Sequence, residues 1–335
     1  MTGGETEYYR DLLLERKARA ERARPADFTE LRSLLDQVDA ALQRIDDGTY
    51  GLCETCHDDI EPERLRADPL LTLCLPHITA SERRALEEDL ALAARIQTAL
   101  LPVRSLSVDG WEAAYHYQPA GVVSGDVCDL LRQGEGGLFF VAGDVSGKGV
   151  AASILMSNLL AIIRTLLSMN TPLAQLMERA NRLFCEGTLP SSYATLVCGR
   201  VSAGGMVQLT NGGHCPPLRI GRGGAEWLPA TALPLGLFCS TRYEPSSLQL
   251  NEGESLLLYS DGVTEARNAA GEEYGPERLA ATAAKLPGRT AREVVEAVLA
   301  DLRGFRGPGP NADDVTVLSL AWRCQDMGDG IVQRR

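Results

Sequence analysis

Three cysteines and a histidine in the first quarter of the chain have the spacing of a zinc site. Two pairs, each with two intervening residues, flank a 17-residue stretch: Cys53, Cys56, Cys74 and His77. Each pair can direct two soft ligand atoms at one tetrahedral zinc ion. Because the protein would fill all four positions, we predict one structural Zn²⁺ with no open position for catalysis. His57, which follows Cys56, is an alternative fourth ligand with poorer spacing.

Acidic residues next to short apolar runs form a second candidate site, later in the chain. They lie in four separate segments, at residues 123–130, 139–149, 256–265 and 312–318. In the second and third segments an apolar run leads directly into Asp144 and Asp261, and the other acids are Asp126, Asp313 and Asp314. One such acid is ordinarily a turn residue. Several at the ends of strands could bind Mg²⁺ or Mn²⁺, and two ions would activate a shared water.

The elements around the zinc ligands are predicted to be helical. Residues 5–24 and 27–47 have the composition of two helices separated at Pro25, and a capping box at residues 27–30 starts the second. Apolar residues recur at helical spacing in the second helix: Leu31, Leu34, Leu35, Val38, Leu42 and Ile45. We interpret this stripe as the packing face of a helical hairpin.

A third predicted helix, over residues 79–102, connects the two candidate sites. A capping box of Thr79 and Glu82 begins it, and Pro102 ends it. A 4-3-4-3 spacing relates five of its residues: Leu86, Leu90, Ala93, Gln97 and Leu100. That spacing suits the seam of a coiled coil and also a helix packed on its own domain. We predict a homodimer through this helix.

The composition limits the classes of partner. Of the 335 residues, 33 are Lys or Arg and 45 are Asp or Glu, so the net charge is −12. Residues 45–80 hold two arginines against eight acids, a local charge of −6, and we therefore expect no DNA binding. With no apolar run of 18 residues and a charged N-terminus, we expect a cytoplasmic protein without a membrane partner. The odd number of cysteines, nine, argues against a disulfide framework.

The segment around the zinc ligands resembles the zinc finger of the DksA/TraR family. The matching residues are Tyr50, Gly51, Cys53, Cys56, Ile60, Arg64, Leu65, Ala67, Pro69, Cys74 and His77. His77 stands where that family commonly has a fourth cysteine. Since the finger in that family follows a hairpin that can reach into RNA polymerase, the resemblance implies an alternative function. The chain would then be a non-catalytic transcription regulator that binds RNA polymerase or another protein through this module.

Residues 85–322 resemble the PPM protein phosphatases of the bacterial SpoIIE/RsbU type. The matches occur in order: SGD at 124–126, GDVSGKG at 143–149, SYATL at 192–196, NGGHCPP at 211–217, LPLG at 233–236, SDGVTEARN at 260–268 and DDVTVL at 313–318. The resemblance implies an α+β fold, a four-layer α-β-β-α sandwich with a binuclear metal site at one end of its two sheets. We therefore divide the chain into a hairpin and finger at 1–78, the connecting helix, a phosphatase domain at 103–323 and a tail at 324–335.

The same resemblance assigns roles to individual residues. The implied ligands of two Mg²⁺ or Mn²⁺ ions are Asp126, Asp144, the carbonyl of Val145, Asp261, Asp313 and, ranked last, Asp314. Asp144 would bridge both ions, with Asp126 completing one site and Asp261 with Asp313 the other. These four acids form the predicted catalytic set, and Asp129 would at most support it. Ser146 stands where eukaryotic members have a histidine general acid.

Two further residues are candidates for substrate contacts. Lys148 is the cation nearest to the acids in these motifs, although it could equally be an ordinary loop residue. His214 lies in a turn, where it would either contact substrate or stabilise the turn itself. The resemblance implies hydrolysis of phosphoserine or phosphothreonine by metal-activated hydroxide. The implied substrate is a STAS-type anti-anti-sigma factor, which would be freed to sequester an anti-sigma factor.

Overall fold

The computed structural model describes residues 3–22, 28–78, 80–134, 137–309 and 311–323. Three features predicted from the sequence lie outside these residues: the break at Pro25, the first residue of each predicted helix cap (Asp27 and Thr79), and the tail at 324–335. The chain divides into two compact units, Met1–Asp89 and Leu90–Arg335. The division falls within the predicted connecting helix.

The first unit contains the predicted hairpin and the cysteine cluster. Its helices are α1 (Gly3–Arg22), α2 (Phe28–Asp46) and the short α3 (Pro62–Ala67). Val38 and Ile45 of α2 are buried, and Leu34 and Leu42 pack partly against the same core. The predicted packing stripe is therefore confirmed. The core also contains Tyr9 and Leu13 of α1 and residues of the cysteine-rich segment: Tyr50, Cys53, Ile60, Leu65 and Cys74.

Helix α4 (Ala80–Leu100) begins in the first unit and ends in the second. Within the second unit, Gln97 is buried and Leu100 packs against the domain core. Leu92 and Ile96, on another side of the helix, are 48% and 57% exposed. The 4-3-4-3 spacing therefore marks, over residues 90–100, a helix packed on its own domain. The predicted dimer seam is wrong at Gln97, since that side chain contacts its own chain.

The second unit contains two antiparallel sheets. The first sheet has the order β1 (Ser105–Val108), β2 (Trp111–Gln118), β11 (Val315–Trp322), β10 (Ser255–Tyr259), β7 (Leu218–Gly221) and β8 (Gly224–Trp227). The second has the order β3 (Asp126–Gln133), β4 (Gly137–Val145), β5 (Ala194–Ser202), β6 (Met206–Gly212) and β9 (Ser246–Gln249).

Helices cover the outer face of each sheet. Helices α5 (Gly149–Ser168) and α6 (Leu173–Gly187) pack on the second sheet, and α8 (Pro276–Ala283) and α9 (Ala291–Arg306) on the first, which also carries the short α7 (Asp261–Thr264). Strand alternation separates the cores: Phe139 and Val141 face the helices, whereas Phe140 lies in the core shared by both sheets. The predicted four-layer α-β-β-α sandwich is confirmed.

Helix α5 is, within the described ranges, the one helix long and apolar enough to cross a membrane. In this fold it is a core helix. Met156, Leu159, Leu160 and Ile163 are buried between α5 and the second sheet, in the cluster that includes Phe139. Its apolar composition is explained by this packing.

One disulfide bond, which the sequence did not predict, occurs in the second unit. It joins Cys185 of α6 to Cys239, in the connection between β8 and β9, with the two Cα atoms 5.8 Å apart. The other cysteines of the described segments are unpaired: Cys53, Cys56, Cys74, Cys128, Cys198 and Cys215. The structure therefore has a single bond and no disulfide framework among these residues.

Candidate functional site

Strand pairing brings the predicted acids to one end of both sheets. Asp126, the first residue of β3, is paired in register with Asp144, near the end of β4. In the other sheet, Asp261 lies two residues after the end of β10, and Asp313 lies two residues before the start of the antiparallel β11. Antiparallel neighbours place the end of one strand beside the start of the next. The four acids of the predicted catalytic set therefore lie at neighbouring strand ends.

Burial and like charges raise the pKa values of the Asp126, Asp144 and Asp261 carboxyl groups. Burial, together with the charges of Asp261, Asp313 and Asp314, raises the pKa of Asp144 to about 7. Asp126 is 1% exposed, and burial holds its pKa well above the usual range, although a hydrogen bond from Thr316 opposes the shift. So much negative charge in a partly buried place favours cations, and a divalent ion would restore the ionised form of each acid.

Two hydroxyl residues position Asp126 and were not predicted from the sequence. Thr316 Oγ1 donates a hydrogen bond of 2.5 Å to Asp126 Oδ2. The backbone N–H of Thr316 donates to Ser260 Oγ, which donates in turn to the carbonyl of Asp314. Both residues belong to the acidic motifs, Ser260 just before Asp261 and Thr316 in the DDVT segment. Their positions in the sequence, next to the acids, could have indicated this role.

The adjacent acids Asp313 and Asp314 have different surroundings. Asp314 accepts hydrogen bonds from the backbone N–H groups of Ala120 (2.7 Å) and Gly125 (3.0 Å), one on each carboxylate oxygen. Asp313 accepts from Lys148 Nζ at 2.8 Å. Asp314 thus ties the segment before β3 to the start of β11. The geometry supports the ranking of Asp313 above Asp314 as a ligand.

Gly125 leaves room beside two of the proposed ligand oxygens. A Cβ atom at this position would lie 3.0 Å from the carbonyl oxygen of Val145 and 3.1 Å from Asp144 Oδ1. Gln97 holds the same loop, because its side-chain amide donates to the carbonyl of Ser124 (2.7 Å) and accepts from the Ser124 N–H (3.0 Å). The cradle contains hard oxygen donors, carboxylates with a backbone carbonyl, and this donor set fits Mg²⁺ or Mn²⁺.

Asp129 and His214 have structural partners away from solvent. Asp129 is fully buried and accepts a 2.7 Å hydrogen bond from Arg164 Nε of α5. His214 is 5% exposed, and its Nδ1 lies 2.9 Å from Thr195 Oγ1. The His214 N–H donates to Asn211 Oδ1, while Asn211 Nδ2 donates to the His214 carbonyl. Burial lowers the pKa of His214 to about 4. These contacts favour the turn-stabilising interpretation of His214 over substrate binding.

Lys148, the other candidate for substrate contact, is accessible. Its side chain is 73% exposed and lies at the N-terminus of α5, where its ammonium group reaches Asp313. Gly147, just before it, has a φ of +99°, a conformation that favours glycine. The glycine at position 147 therefore permits the turn that places Lys148 at the rim of the acidic site.

The ligand atoms of the cysteine cluster lie closer together than those of the acidic site. The Cys56 and Cys74 sulfurs are 3.6 Å apart, and His77 Nδ1 lies 3.1 Å from Cys74 Sγ and 3.9 Å from Cys53 Sγ. All four ligand atoms lie within 4.8 Å of one another, which fits one tetrahedral zinc. His57 is exposed and outside the group. In the described part of the chain no other group of three or more such residues is this close, the acids included. The acids of a two-ion site are divided between two ions, so their oxygens need not all lie within 4.8 Å of one another.

Comparison with known families agrees with the two modules. The family model of Stage II sporulation protein E (SpoIIE) matches residues 134–323, and that of the prokaryotic dksA/traR C4-type zinc finger matches residues 48–76. The phosphoserine phosphatase RsbP of Bacillus subtilis is 26% identical over 183 residues, which are 53% of this chain and 45% of RsbP. The RNA polymerase-binding transcription factor DksA of Caulobacter vibrioides is 36% identical over 83 residues, 24% of this chain and 57% of DksA.

Solved structures show the same fold in the second unit. The SiaA-PP2C domain of Pseudomonas aeruginosa superposes with a TM-score of 0.64 at 20% identity, covering 73% of this chain and 98% of that domain. The structure of the RsbU and RsbW domains of Rv1364c from Mycobacterium tuberculosis has a TM-score of 0.55 at 30% identity, covering 66% of this chain and 62% of that one. The chain spans about half the length of the curated relatives it matches first.

Proposed function

The chain belongs to the SpoIIE family, and from that membership we propose that it is a metal-dependent protein serine/threonine phosphatase of the PPM type. The observation that carries the proposal is the meeting of Asp126, Asp144, Asp261 and Asp313 at one end of the two sheets. The raised pKa values of Asp126, Asp144 and Asp261 indicate a site that is complete only with cations.

Each residue has a part in the proposed mechanism. When bound, two Mg²⁺ or Mn²⁺ ions would supply Lewis-acid activation of a water and charge neutralisation of the phosphate. Asp144 would bridge the ions, Asp126 would be held in place by Thr316, and Asp261 and Asp313 would hold the second ion. Lys148, released from Asp313, would orient the phosphate. Water would protonate the leaving seryl oxygen, since Ser146 Oγ accepts the Tyr193 N–H and is no acid.

We further infer that the substrate is a phosphorylated STAS-type anti-anti-sigma factor of a bacterial partner-switching pathway. RsbP is named a phosphoserine phosphatase, and the Rv1364c structure contains an RsbU domain with an RsbW domain. A homodimer through α4 is also part of the proposal, through the exposed side chains of Leu92 and Ile96. The zinc module would carry one Zn²⁺ and regulate activity or assembly in the cytoplasm.

The direct test is phosphate release by the full chain. With Mn²⁺ or Mg²⁺ present, we expect turnover of a phosphoserine peptide and of candidate phosphorylated STAS proteins, and none with a chelator that removes both ions. A matched phosphotyrosine peptide is the specificity control. No metal-dependent release from any phosphoserine substrate would contradict the phosphatase assignment. Turnover of peptides without turnover of STAS proteins would contradict only the substrate assignment.

A second candidate function follows from the similarity of the first unit to DksA, which is named RNA polymerase-binding. The chain would then act as a transcription regulator through residues 1–78 without catalysis. The test is co-purification of the full chain with RNA polymerase, with Cys74→Ser as the matched variant. Polymerase binding that depends on Cys74, in a chain without phosphatase activity, would favour this candidate over the first.

A further inference from the structure

The segment of residues 232–241, which we call the clamp segment, is fastened to α6 by covalent and polar contacts. Cys239 of this segment is bonded to Cys185 of α6, 54 residues away in sequence. Asn181, about one turn before Cys185 and fully buried, accepts a hydrogen bond from the Gly236 N–H (2.9 Å) and donates one to the Phe238 carbonyl (2.8 Å). Helix α6 therefore holds this segment at three successive points.

The clamp segment is also hydrogen-bonded toward the acidic site. Leu235 and Ala194 exchange both backbone hydrogen bonds, each of 2.8 Å. The neighbouring Tyr193 exchanges two more with Ser146: its carbonyl accepts the Ser146 N–H at 2.9 Å, and its N–H donates to Ser146 Oγ at 3.0 Å. Ser146 is two residues beyond Asp144. Two hydrogen-bonded pairs, Leu235 with Ala194 and Tyr193 with Ser146, thus connect the disulfide-bonded segment to the strand end that carries the proposed bridging ligand.

Leu235 anchors the clamp segment in the domain core, but the outer part of the segment, residues 237–240, is exposed. Leu233, Leu237 and Phe238 are 50%, 47% and 61% exposed, and Cys239 is exposed as well. Without the bond, Ala232 and Leu235 would still anchor the first part of the segment, through hydrogen bonds to Asn211 and Ala194. Residues 237–240 would then be held to α6 by the hydrogen bond from Asn181 to the Phe238 carbonyl. Since few buried contacts mean a low cost of local opening, loss of the bond would loosen this region before the rest of the domain.

The other cysteines indicate that this bond is reversible. Cys53, Cys56 and Cys74 must be thiols or thiolates to bind zinc, and they are unpaired in the structure. A chain with such a site functions where thiols stay reduced, and disulfides in such a compartment are usually transient or regulatory. Cys239 is exposed and Cys185 is half-buried, so Cys239 is the more accessible end for exchange.

We propose that Cys185 and Cys239 form a reversible thiol–disulfide switch that controls the phosphatase, with a dithiol–disulfide exchange partner as co-reactant. In oxidation the Cys239 thiolate attacks the partner's disulfide and displaces one sulfur as a thiol. The Cys185 thiolate then attacks Cys239 Sγ in the mixed disulfide, forms the Cys185–Cys239 bond and releases the partner's second sulfur. The two cysteines lose two electrons and two protons, and the partner's disulfide becomes a dithiol. Reduction is the reverse. The inference rests on the proposed phosphatase function.

The chemistry of the pair is tested on the full chain without reference to activity. The chain is equilibrated with oxidised and reduced dithiothreitol at several ratios, trapped by alkylation and analysed by peptide mass spectrometry. We expect Cys185 and Cys239 to change together from bonded to alkylated as the ratio is varied. Chymotrypsin should cut after Phe238 about tenfold faster in the reduced form. Two thiols at every ratio, or equal cleavage in both forms, would overturn the switch.

The second test of the switch measures phosphatase activity. With saturating Mn²⁺, reduction is expected to lower kcat/KM for a phosphoserine peptide at least fivefold, and reoxidation to restore it. Cys239→Ser should stay at the reduced level under both conditions, while Cys198→Ala, in the domain core, should keep the full redox response. Equal activity in both forms would overturn the switch and leave the phosphatase intact. A reversible pair in a chain that hydrolyses nothing would overturn the phosphatase and, with it, control of its activity.

Discussion

The two metal-ligand groups of this chain are constructed in opposite ways. In the first unit, four soft ligand atoms converge within 4.8 Å, and two of the cysteines belong to the unit's small core. In the second unit, hard carboxylates from strand ends as far apart in sequence as Asp126 and Asp313 repel one another, and no such close group forms among the described acids. The cysteine ligands are part of the packing of their unit, whereas the acids repel one another within a unit that is packed by other residues.

The difference follows from how much other packing each unit has. Among its described residues, the first unit has one cluster of buried residues, which includes proposed zinc ligands, so we expect its stability to depend on the metal. The second has three clusters, between helices and sheets and between the sheets, and none contains Asp126, Asp144, Asp261 or Asp313. Removal of metal should therefore unfold the first unit and only inactivate the second.

The largest effect is expected from Cys74→Ser. Structural zinc binding contributes roughly 10–16 kcal/mol in small zinc domains, so loss of one ligand should release the ion and melt residues 48–77. We expect one equivalent less zinc by elemental analysis and loss of amide-exchange protection in that segment, with β4 and β5 still protected. Cys215→Ser, outside the cluster, is the control. Retained protection without zinc would show that this unit does not depend on its metal.

The next effect is catalytic. Asp144→Asn should reduce kcat/KM for a phosphoserine peptide by about 10³ or more, equivalent to ~4 kcal/mol, because it removes the proposed bridging ligand. The melting temperature should stay constant or rise, since the change removes a carboxylate that burial and three like charges destabilise. Asp301→Asn is the reciprocal control. Asp301 accepts hydrogen bonds from Arg278 and Tyr274, so its loss should lower Tm and leave catalysis unchanged. Full activity of Asp144→Asn would remove the basis for the site.

A feature could be predicted from the sequence when its residues lie near one another along the chain. The four proposed zinc ligands lie within a span of 25 residues, from Cys53 to His77, so their spacing in the sequence was enough to predict the site. The acids could be recognised because an apolar run beside an acid is a local pattern. The four layers of the fold were predicted from the ordered motifs of the resemblance, and the structure confirms them.

Contacts between distant segments were beyond sequence reasoning. Thr316 bonds to Asp126 across 190 positions, and Asp314 to Ala120 across 194. The partner of Cys185 is 54 residues away, and no local signal indicates it. The partner of Gln97 in α4 could not be predicted for a related reason. A helical period shows which residues share a face, but whether Gln97 meets a second chain or Ser124 depends on tertiary packing.

A smaller contrast separates the two adjacent acids. Asp313→Asn should weaken Mn²⁺ affinity about 10-fold or more with little change in Tm, since Asp313 contacts mainly the exposed Lys148. Asp314→Asn should lower stability by roughly 1.5–3 kcal/mol, because an amide accepts through one atom and leaves the Ala120 or Gly125 N–H unpaired. Metal titration and thermal melts of both variants measure this. Interchanged results would reverse the ranking of the two residues.

The smallest expected effect concerns Lys148, where the contrast between the two metal groups is sharpest. The zinc ligands leave no position for a further group, whereas the acidic site has an exposed cation at its rim that a phosphate could engage. Lys148→Ala should raise KM for a phosphoserine peptide about fivefold, ~1 kcal/mol, with a smaller change in kcat. Lys148→Arg, which keeps the charge, should recover most of the affinity. Because the side chain is 73% exposed, neither change should alter Tm. An unchanged KM in Lys148→Ala would mean that Lys148 serves only as a counter-charge to Asp313, and that the bound ions alone hold the phosphate.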